Sequence, residues 1–338
     1  MEEVIALVLA AGKGTRMKSK LPKVLHKAGG VPMVGQVLRA VKDAGTKREI
    51  VVVGFGAEAV TAYVGETAET VVQKEQLGTG HAVLQAESLL QGEKGILLVT
   101  CGDTPLVRTE TFRALLDCHK KTQASATVLT ACMPDPTGYG RVIRSADGKV
   151  SKIVEQKDGT SQELAVNEVN AGIYCFELPE LWELLHRIGN NNAQGEYYLT
   201  DIIGMLVADG KTVSAVAAED YRETLGVNSR LQLAQAEKIL RERKLEELMT
   251  EGVTVQDPSN TYVETTVTVG RDTVLYAGTV LEGRTVIGEN CEIGPFVRLT
   301  NVAMGDGNSL QYTYAHDCTI ENNLTAGPFV HFRPKTHI

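Results

Sequence analysis

The chain has 338 residues and a mass of 36.5 kDa, a length that predicts about two domains at roughly 150 residues per domain. Its hydrophobic content of 43% and charged content of 22% exclude a collagen, a coiled-coil rod and wholesale disorder. The net charge of −8 and the lack of a Lys/Arg run exclude a protein that coats nucleic acid, so no nucleic-acid partner is expected.

The first 227 residues alternate apolar runs of strand length with helical patterns. Strands are predicted at residues 4–10, 49–53 and 96–101, and helices at residues 32–44, 79–90 and 109–121. This order predicts a Rossmann-like α/β domain with a mostly parallel sheet and helices on both faces. Because ligands bind beyond the carboxyl ends of such strands, we expect a site in the loops after Ala10 and Cys101.

Residues 228–250 form one long predicted helix, with Leu233, Ala236 and Leu240 on one face. We interpret it as a linker helix between a domain of residues 1–227 and a second domain of residues 251–338.

In the second domain, apolar residues recur every six positions. The first register is Val269, Leu275, Leu281, Ile287, Ile293 and Leu299. A second register, after an irregular stretch, is Tyr314, Ile320, Ala326 and Phe332. A six-residue period predicts a parallel β-helix in which each coil stacks aliphatic side chains inward, rather than a β-sandwich. The last residues, FRPKTHI, stop mid-pattern without a polar capping coil, so we expect the chain to be the front part of a longer protein.

Cysteine spacing and the N-terminus predict the compartment. The six cysteines contain no CxxC pair, which favours buried thiols in a reducing cytoplasm over a zinc site or a disulfide framework. The apolar run that begins MEEVIALVLAAG lacks a basic leader and is too short to span a bilayer. We therefore predict a cytoplasmic protein without a membrane partner.

A glycine-containing loop after the first strand is the first candidate site. It reads LAAGKGTRM from Leu9 to Met17, and Gly12 and Gly14 allow backbone N–H groups to wrap an anion. Arg16 and Lys23 add positive charge there. A tight turn with two solvated cations is the alternative, since neither the dinucleotide fingerprint nor the Walker pattern is complete. The cations beside the glycines favour a phosphate site.

Asp103, in the segment TCGDTP after the third predicted strand, is the second candidate. A carboxylate at a strand end near a phosphate loop suits Mg²⁺, which prefers one or two carboxylates plus substrate phosphates. An Asp that caps the turn before Pro105 is an equally good interpretation. His81 is interpreted as a residue at a helix start and not as a base, because no pattern of nucleophilic catalysis accompanies it.

Further polar segments lie between the apolar runs, and together with the two candidate sites they resemble one family. The segments are LAAGKGTRM with PKVL, QLGTGHA, GDTPL, DPTGYGR, EQKD, NAGIY, NNNAQGEYYLTDII and GVNSRLQL. They are similar to the bifunctional N-acetylglucosamine-1-phosphate uridyltransferase/glucosamine-1-phosphate acetyltransferase family, over essentially the whole chain. The resemblance implies a left-handed β-helix, a homotrimer formed through it, and a role in cell-wall precursor synthesis.

The resemblance also implies roles for individual residues. Contacts to the nucleotide are implied for Leu9, Ala10, Ala11, Gly12, Gln73, Gly78 and Thr79, the last three at uracil. Contacts to the amino sugar are implied for Gly140, Glu155 and Asn170. Asp103 and Asn228 would hold Mg²⁺, and Arg16 and Lys23 would bind phosphates.

In the acetyltransferase half, which uses acetyl-CoA, only Arg333 resembles a member of the site. Lys335 stands where a glycine is expected. We expect this half to be incomplete, and its activity absent, in a chain of this length.

The implied reaction converts UTP and N-acetylglucosamine-1-phosphate into UDP-N-acetylglucosamine and pyrophosphate. A phosphomonoester with a second pKa of about 6 is mostly dianionic at neutral pH, so no general base is required. Arg16, Lys23 and Asp103 are the predicted catalytic residues, because they would stabilise or organise negative charge. Two alternatives stay open: another sugar-1-phosphate nucleotidyltransferase, and a non-catalytic assembly subunit.

Overall fold

The computed structural model describes residues 3–338, within which the chain divides into two compact units. The first unit runs to His26 and continues over Pro32–Arg230, and the second comprises Lys27–Val31 and Leu231–Ile338. The segment Lys27–Val31 therefore groups with the second unit, although it lies early in the sequence. The division into functional domains at residues 227 and 250 stays a prediction.

The first unit is built on a central sheet with helices on both faces. The strands up to residue 230 are, in chain order, β1 (Val4–Ala10), β2 (Lys27–Ala28), β3 (Val31–Pro32), β4 (Arg48–Val53), β5 (Glu69–Val72), β6 (Ile96–Cys101), β7 (Ala126–Cys132), β8 (Arg141–Arg144), β9 (Val150–Val154), β10 (Glu168–Glu177) and β11 (Val213–Ala217). β2 and β3 pair with each other in a separate two-stranded sheet, in the segment that groups with the second unit. The helices are α1 (Met33–Asp43), α2 (Ala57–Val64), α3 (Thr79–Leu84), α4 (Glu87–Leu90), α5 (Thr109–Thr122), α6 (Ser161–Leu164), α7 (Leu178–Leu185) and α8 (Asp201–Ala208). Short 3₁₀ turns lie at Thr15–Met17, Lys23–Leu25, Gly65–Thr67 and Tyr221–Thr224.

The strand order in the central sheet is β11-β7-β10-β6-β1-β4-β5. β1 pairs in parallel with β4 and β6, while β10 runs antiparallel between β6 and β7. The hairpin β8–β9 attaches through β10. The predicted α/β class with a mostly parallel sheet is confirmed: along the seven-strand path only β10 runs antiparallel to the others, and the attached β8–β9 hairpin adds further antiparallel pairs.

Both faces of the sheet are buried, as a largely parallel sheet requires. Leu7 and Val99 pack on one face, and Val8 and Leu98 pack on the other. This alternation explains why these strands are continuous apolar runs in the sequence. The parallel pairing of β1 with β6, in which Val8 lies beside Thr100, brings the carboxyl ends of the two strands side by side.

One predicted helix is two helices in the structure. The prediction for residues 79–90 was wrong at its middle, where α3 ends at Leu84 and α4 begins at Glu87. Gln85 N–H donates to Ala82 O and Ala86 N–H to Val83 O, which are the tighter i→i+3 bonds of a turn.

The linker helix α9 (Arg230–Thr250) lies in the second unit from Leu231 onward, and it buries Ala236, Leu240 and Leu248. Leu233, predicted on the same face, is only partly buried. Within this unit, Gly29 N–H donates to Glu237 Oε2 at 2.6 Å.

Three parallel sheets of short strands follow α9. The strands are β12 (Thr254–Val255), β13 (Tyr262–Val263), β14 (Thr268–Val269), β15 (Val274–Leu275), β16 (Val280–Glu282), β17 (Val286–Ile287), β18 (Glu292–Ile293), β19 (Arg298–Thr300), β20 (Ala303–Met304), β21 (Ser309–Leu310), β22 (Thr313–His316), β23 (Thr319–Ile320), β24 (Thr325–Ala326) and β25 (Val330–Phe332), with a 3₁₀ turn at Pro258–Asn260. The sheets have the orders β12-β15-β18-β21-β24, β13-β16-β19-β22-β25 and β14-β17-β20-β23 within the described residues. This arrangement confirms the predicted parallel β-helix.

The inward register of the β-helix differs from the prediction at Tyr314. Leu299 pairs with Ala315, which is fully buried, whereas Tyr314 is 40% exposed. The coil from Leu281 to Leu299 has 18 residues and the coil from Leu299 to Ala315 has 16. Because this coil is shorter, the inward-facing position falls on Ala315 and the predicted six-residue spacing is broken there.

Among residues 3–338, no helix combines the length and the apolar character that crossing a membrane requires.

Candidate active site

The loop after β1 is shaped by two glycines with different roles. Gly14 has a φ of 58°, and a Cβ there would lie 2.6 Å from Lys23 Cβ, so only glycine fits. A Cβ at Gly12 would meet nothing within 4 Å. Gly12 has no side chain, and no neighbouring atom occupies the place where one would lie. The backbone of the loop is therefore open on this side, and an anionic ligand would approach it there.

A cleft of about 290 Å³ lies beyond the carboxyl ends of β1 and β6. It brings together these predicted site residues: Leu9, Ala10, Ala11, Gly12, Lys23, Gln73, Gly78, Thr79 and Asp103. Gly102 N–H donates to Leu9 O at 2.9 Å and joins the two strand ends. The sheet topology thus carries residues distant in sequence to one edge.

Lys23 and Asp103 line this cleft and form a compact polar cluster with Asn228, which contacts Lys23 but is not itself a lining residue. Lys23 Nζ donates to Asp103 Oδ2 at 2.5 Å and to Asn228 Oδ1 at 2.8 Å. The side chains of Lys23 and Asp103 are only 13% and 17% exposed. Val227 N–H donates to Asp103 O at 2.8 Å, which fixes the segment carrying Asn228 beside the end of β6.

The side chains of this cluster are suited to hold a divalent cation. The carboxylate of Asp103 and the carboxamide oxygen of Asn228 converge on one positive centre, the Lys23 ammonium. Both oxygens are hard ligands of the kind that Mg²⁺ prefers. Residues 3–338 contain no group of three or more His, Cys, Asp or Glu side chains placed to hold a metal. A cation here would therefore take its remaining ligands from substrate phosphates and water.

The side of the cleft predicted to bind the base is formed by the segment from Gln73 to Thr79. Gln73 is buried, and its Nε2 donates to Gly78 O at 3.2 Å. Gly78 has a φ of 114°, and a Cβ there would lie 2.6 Å from Tyr197 O. Leu199 N–H donates to Thr79 Oγ1. The segment 197–199 thus holds this loop in place.

Gly140, Glu155 and Asn170, the predicted sugar-binding residues, form a second group in the same unit. Asn170 N–H donates to Gly140 O at 2.9 Å, and a Cβ at Gly140 would lie 3.4 Å from the Glu155 carboxylate oxygens. Asn170 Nδ2 donates to the Tyr174 hydroxyl at 2.6 Å. Burial raises the pKa of Glu155, and the bond from the Thr200 hydroxyl offsets part of that effect.

Two predicted residues lie apart from these groups. Arg16 is exposed in the turn Thr15–Met17, outside the residues that line the cleft. Arg333 is exposed and lies in the second unit, after β25. Lys335, where the resemblance predicts a glycine, has a φ of 66°, a region that favours glycine.

Several lining residues were not predicted as site residues. They are Val24, Gln76, Ala82, Cys101 and Glu196. Gln76 and Glu196 belong to polar segments on which the family resemblance is based. The sequence therefore indicated these segments as part of the site, but not these two positions within them. Burial raises the pKa of the Cys101 thiol to about 12, with the nearby Asp103 carboxylate adding to the effect.

Two family models match the chain. One, described as "Nucleotidyl transferase", matches residues 5–238. The other, described as "Bacterial transferase hexapeptide (six repeats)", matches residues 266–301. A solved structure described as UDP-glucose pyrophosphorylase complexed with UDP-glucose superposes with a TM-score of 0.57 at 17% identity. It covers 72% of this chain and 100% of its own, and it supports the fold.

Curated relatives match nearly the whole chain. "Bifunctional protein GlmU" of Geobacillus sp. (strain WCH70) is 53% identical over 98% of this chain and 72% of its own length. The protein of the same name from Halalkalibacterium halodurans is 48% identical over 100% of this chain and 74% of its own. These matches confirm the family predicted from the motifs. The chain belongs to the bifunctional GlmU family and is a nucleotidyltransferase of the GlmU uridyltransferase type with hexapeptide repeats.

Proposed function

We propose that the chain transfers a uridylyl group from UTP to N-acetylglucosamine-1-phosphate, forming UDP-N-acetylglucosamine and pyrophosphate. The observation that carries this proposal is the single cleft at the ends of β1 and β6. Its lining includes Gly12 of the proposed phosphate loop, the buried carboxamide of Gln73, and Lys23 with Asp103. Asn228 joins the last two through its hydrogen bond from Lys23.

The reaction needs little proton chemistry from the protein. An oxygen of the sugar phosphate attacks the α-phosphorus of UTP, the bond to the β-phosphate oxygen breaks, and pyrophosphate leaves with that electron pair. The attacking phosphate has a second pKa of about 6 and is mostly dianionic at neutral pH. The chain's task is therefore to hold both reactants in line and to stabilise spread negative charge.

Lys23 is the cation best placed for that task, because its ammonium lies in the cleft and is largely shielded from water. Arg16 is exposed in the turn that follows the loop, and we infer that its long side chain extends to a phosphate bound there. Asp103 and Asn228 would hold Mg²⁺, and Mg²⁺, when bound, neutralises phosphate charge and helps to orient the phosphates.

For the amino sugar, we infer a role for Gly140, Glu155 and Asn170. Glu155 is a partly buried carboxyl group that accepts a hydrogen bond from Thr200, and it is able to accept others from sugar hydroxyls. Asn170 is fixed through its backbone to Gly140 and through its side chain to Tyr174. Such fixed polar groups suit recognition of a sugar.

The test is release of pyrophosphate with UTP, CTP or dTTP and with N-acetylglucosamine-1-phosphate or glucose-1-phosphate, each with and without Mg²⁺. We expect turnover to be highest with UTP and N-acetylglucosamine-1-phosphate. Faster turnover with glucose-1-phosphate would support the other sugar-1-phosphate nucleotidyltransferase instead, and no turnover with any pair would exclude the proposal.

Asp103→Ala should lower turnover by roughly 10²–10³-fold even at saturating UTP, because a charge-organising group in the cleft is lost. The matched control is Asp147→Ala, an exposed carboxylate in the β8–β9 turn. Wild-type turnover of Asp103→Ala would contradict the metal-binding role.

The remaining predictions concern the second unit and the assembly. A site for acetyl-CoA that includes Arg333 stays a prediction, as does the cytoplasmic location. We infer a homotrimer formed through the β-helix. Support comes from an exposed aromatic row, defined as Phe296, Tyr312 and Phe329, which are 62%, 41% and 86% exposed. Neighbouring rings of the row lie 5.5 and 5.8 Å apart.

A further inference from the structure

We propose that His81 is a positioning residue that fixes the carboxamide of Gln73 with its oxygen toward the nucleotide, and thereby selects bases that carry a ring N–H. The inference rests on the proposed function, because it takes Gln73 as the residue that meets the base. His81 itself does not line the cleft.

The orientation of the Gln73 carboxamide follows from its two acceptors. Gln73 Nε2 lies 3.2 Å from Gly78 O, and a carbonyl oxygen can only accept a hydrogen bond. Turning the carboxamide over would place Oε1 against that carbonyl, an unfavourable contact for a side chain that is 3% exposed. The nitrogen therefore faces Gly78.

The same nitrogen lies 3.0 Å from His81 Nδ1. Because Nε2 of Gln73 is the donor, Nδ1 must be the acceptor, and the neutral imidazole carries its proton on Nε2. On the other edge of the ring, His81 Nε2 lies 3.2 Å from Gln85 Nε2, which also donates to His81 O at 2.9 Å. Gln85 is only partly buried, so its carboxamide can turn its oxygen to the ring and leave His81 O to water, whereas Gln73 is 3% exposed and lacks that freedom. We therefore assign the proton of the imidazole to Nε2.

Both amide hydrogens of Gln73 are then used, one by Gly78 O and one by His81 Nδ1. Oε1 is the only group of this carboxamide left for a ligand, and it can only accept. Uracil offers a donor at N3–H, whereas cytosine offers a lone pair at N3. An acceptor fixed in the cleft therefore favours uracil and repels cytosine.

His81 also has a suitable support. It is the third residue of α3, and Gly80 N–H donates to Tyr197 O at 2.9 Å. Behind the ring lies a second cavity of about 260 Å³, bordered by Leu84, Ile188 and Tyr197. The imidazole thus stands between the base side of the cleft and an apolar cavity, with its Nδ1 edge toward Gln73.

The experiment compares His81→Phe with His81→Asn. Phe keeps a ring but removes the acceptor, whereas the Asn carboxamide oxygen restores an acceptor near the position of Nδ1. The readout is the ratio of kcat/KM for UTP to that for CTP, together with the Kd of each nucleotide measured without sugar phosphate. We expect the UTP preference to fall about tenfold in His81→Phe and to return to within about threefold of wild type in His81→Asn.

The control is His186→Phe, which removes the other imidazole at the second cavity; this ring pairs with Glu87 and has no hydrogen bond to Gln73. Its UTP preference should equal that of wild type. An unchanged preference in His81→Phe, or no rescue by Asn, would overturn the inference. If Phe prevents folding, His81→Leu provides the same comparison. Loss of all turnover in wild type would instead refute the proposed function, while the two Kd values would still test His81.

Discussion

Lys23, Asp103 and Asn228 illustrate what single residues contribute to this site. Each is polar, and each comes from a different part of the chain, yet the ammonium of Lys23 lies within 2.8 Å of both partners. The motif around Lys23 predicted a phosphate-binding cation, and the segment around Asp103 left a metal ligand and a turn cap equally open. In the structure both oxygens converge on the Lys23 ammonium, a contact that depends on the assembled strands, and the metal-binding role of Asp103 stays a proposal.

His119 is a buried titratable residue away from the cleft. It is 1% exposed, its Nδ1 lies 2.8 Å from Thr127 Oγ1, and its Nε2 lies 3.2 Å from Glu177 Oε1. A neutral ring accepts from Thr127 and donates to Glu177. Burial lowers the pKa of His119 to about 4 from an ordinary value of 6.5, and Lys120 adds to the effect.

This pKa shift predicts a pH dependence of stability. Between pH 6.5 and about 4 the unfolded chain binds a proton at His119 that the folded chain does not, so stability falls as the pH falls through this window. The stabilisation that comes from keeping His119 neutral is fully present above pH 6.5. Below that pH the free energy of unfolding falls by about 1.4 kcal/mol per pH unit. The slope of the unfolding free energy against pH reports the number of protons taken up on unfolding. We expect this number to be lower by up to one in His119→Gln, measured by urea unfolding at several pH values. An equal slope in both proteins would contradict the assignment.

At the scale of elements, the β-helix shows how a repeat is stabilised. Leu281 is fully buried, and it pairs with Val263 in the coil before it and with Leu299 in the coil after it. Buried threonines at the corners satisfy backbone groups, as when Thr279 Oγ1 donates to Ile293 O at 2.9 Å. Each coil therefore depends on its neighbours for both packing and hydrogen bonding.

Leu281→Ala should destabilise the β-helix by about 2–5 kcal/mol, because it leaves a cavity in the fully buried interior between Val263 and Leu299. Hydrogen exchange of the amides in β16 and β19 is the direct measurement, and those amides should exchange faster than in wild type. Val286→Ala, at a position that is 49% exposed in β17, is the control and should change little. Similar protection in both variants would show that the coil interior does not carry the stability.

At the scale of the whole molecule, the aromatic row on the β-helix bears on assembly. Three neighbouring aromatic side chains with exposures of 62%, 41% and 86% form an apolar surface of the kind that marks an interface. Closed symmetric association would cover the same surface on every copy of the chain. The proposed homotrimer is consistent with this feature.

Phe329→Glu should weaken that association, because it places a charge where an exposed ring would be buried. Burial of one Phe side chain contributes about 1.5–3 kcal/mol, and losing it should raise the concentration needed for assembly by at least about tenfold. Light scattering across a dilution series measures this. Val286→Glu, on another sheet of the β-helix, is the control. Equal assembly of Phe329→Glu and wild type would exclude the row as the interface.

The sequence by itself determined the periodic elements and the family. Continuous apolar runs predicted β1 and β6 to the residue, because strands buried on both faces must be apolar throughout. The six-residue period predicted the β-helix, and the ordered motifs predicted the GlmU family. These signals are local, since each depends on neighbours in the chain.

Tertiary structure decided what depends on distant contacts. The inward position passed from Tyr314 to Ala315 because the coil before it is shorter, which the period alone cannot reveal. The link from His81 to Gln73 requires both a helix start and a strand end to face each other. Asn228 reaches Lys23 across 205 positions of the chain. Such contacts arise from the order of strands in the sheet, and so the geometry of the site was fixed only by the assembled fold.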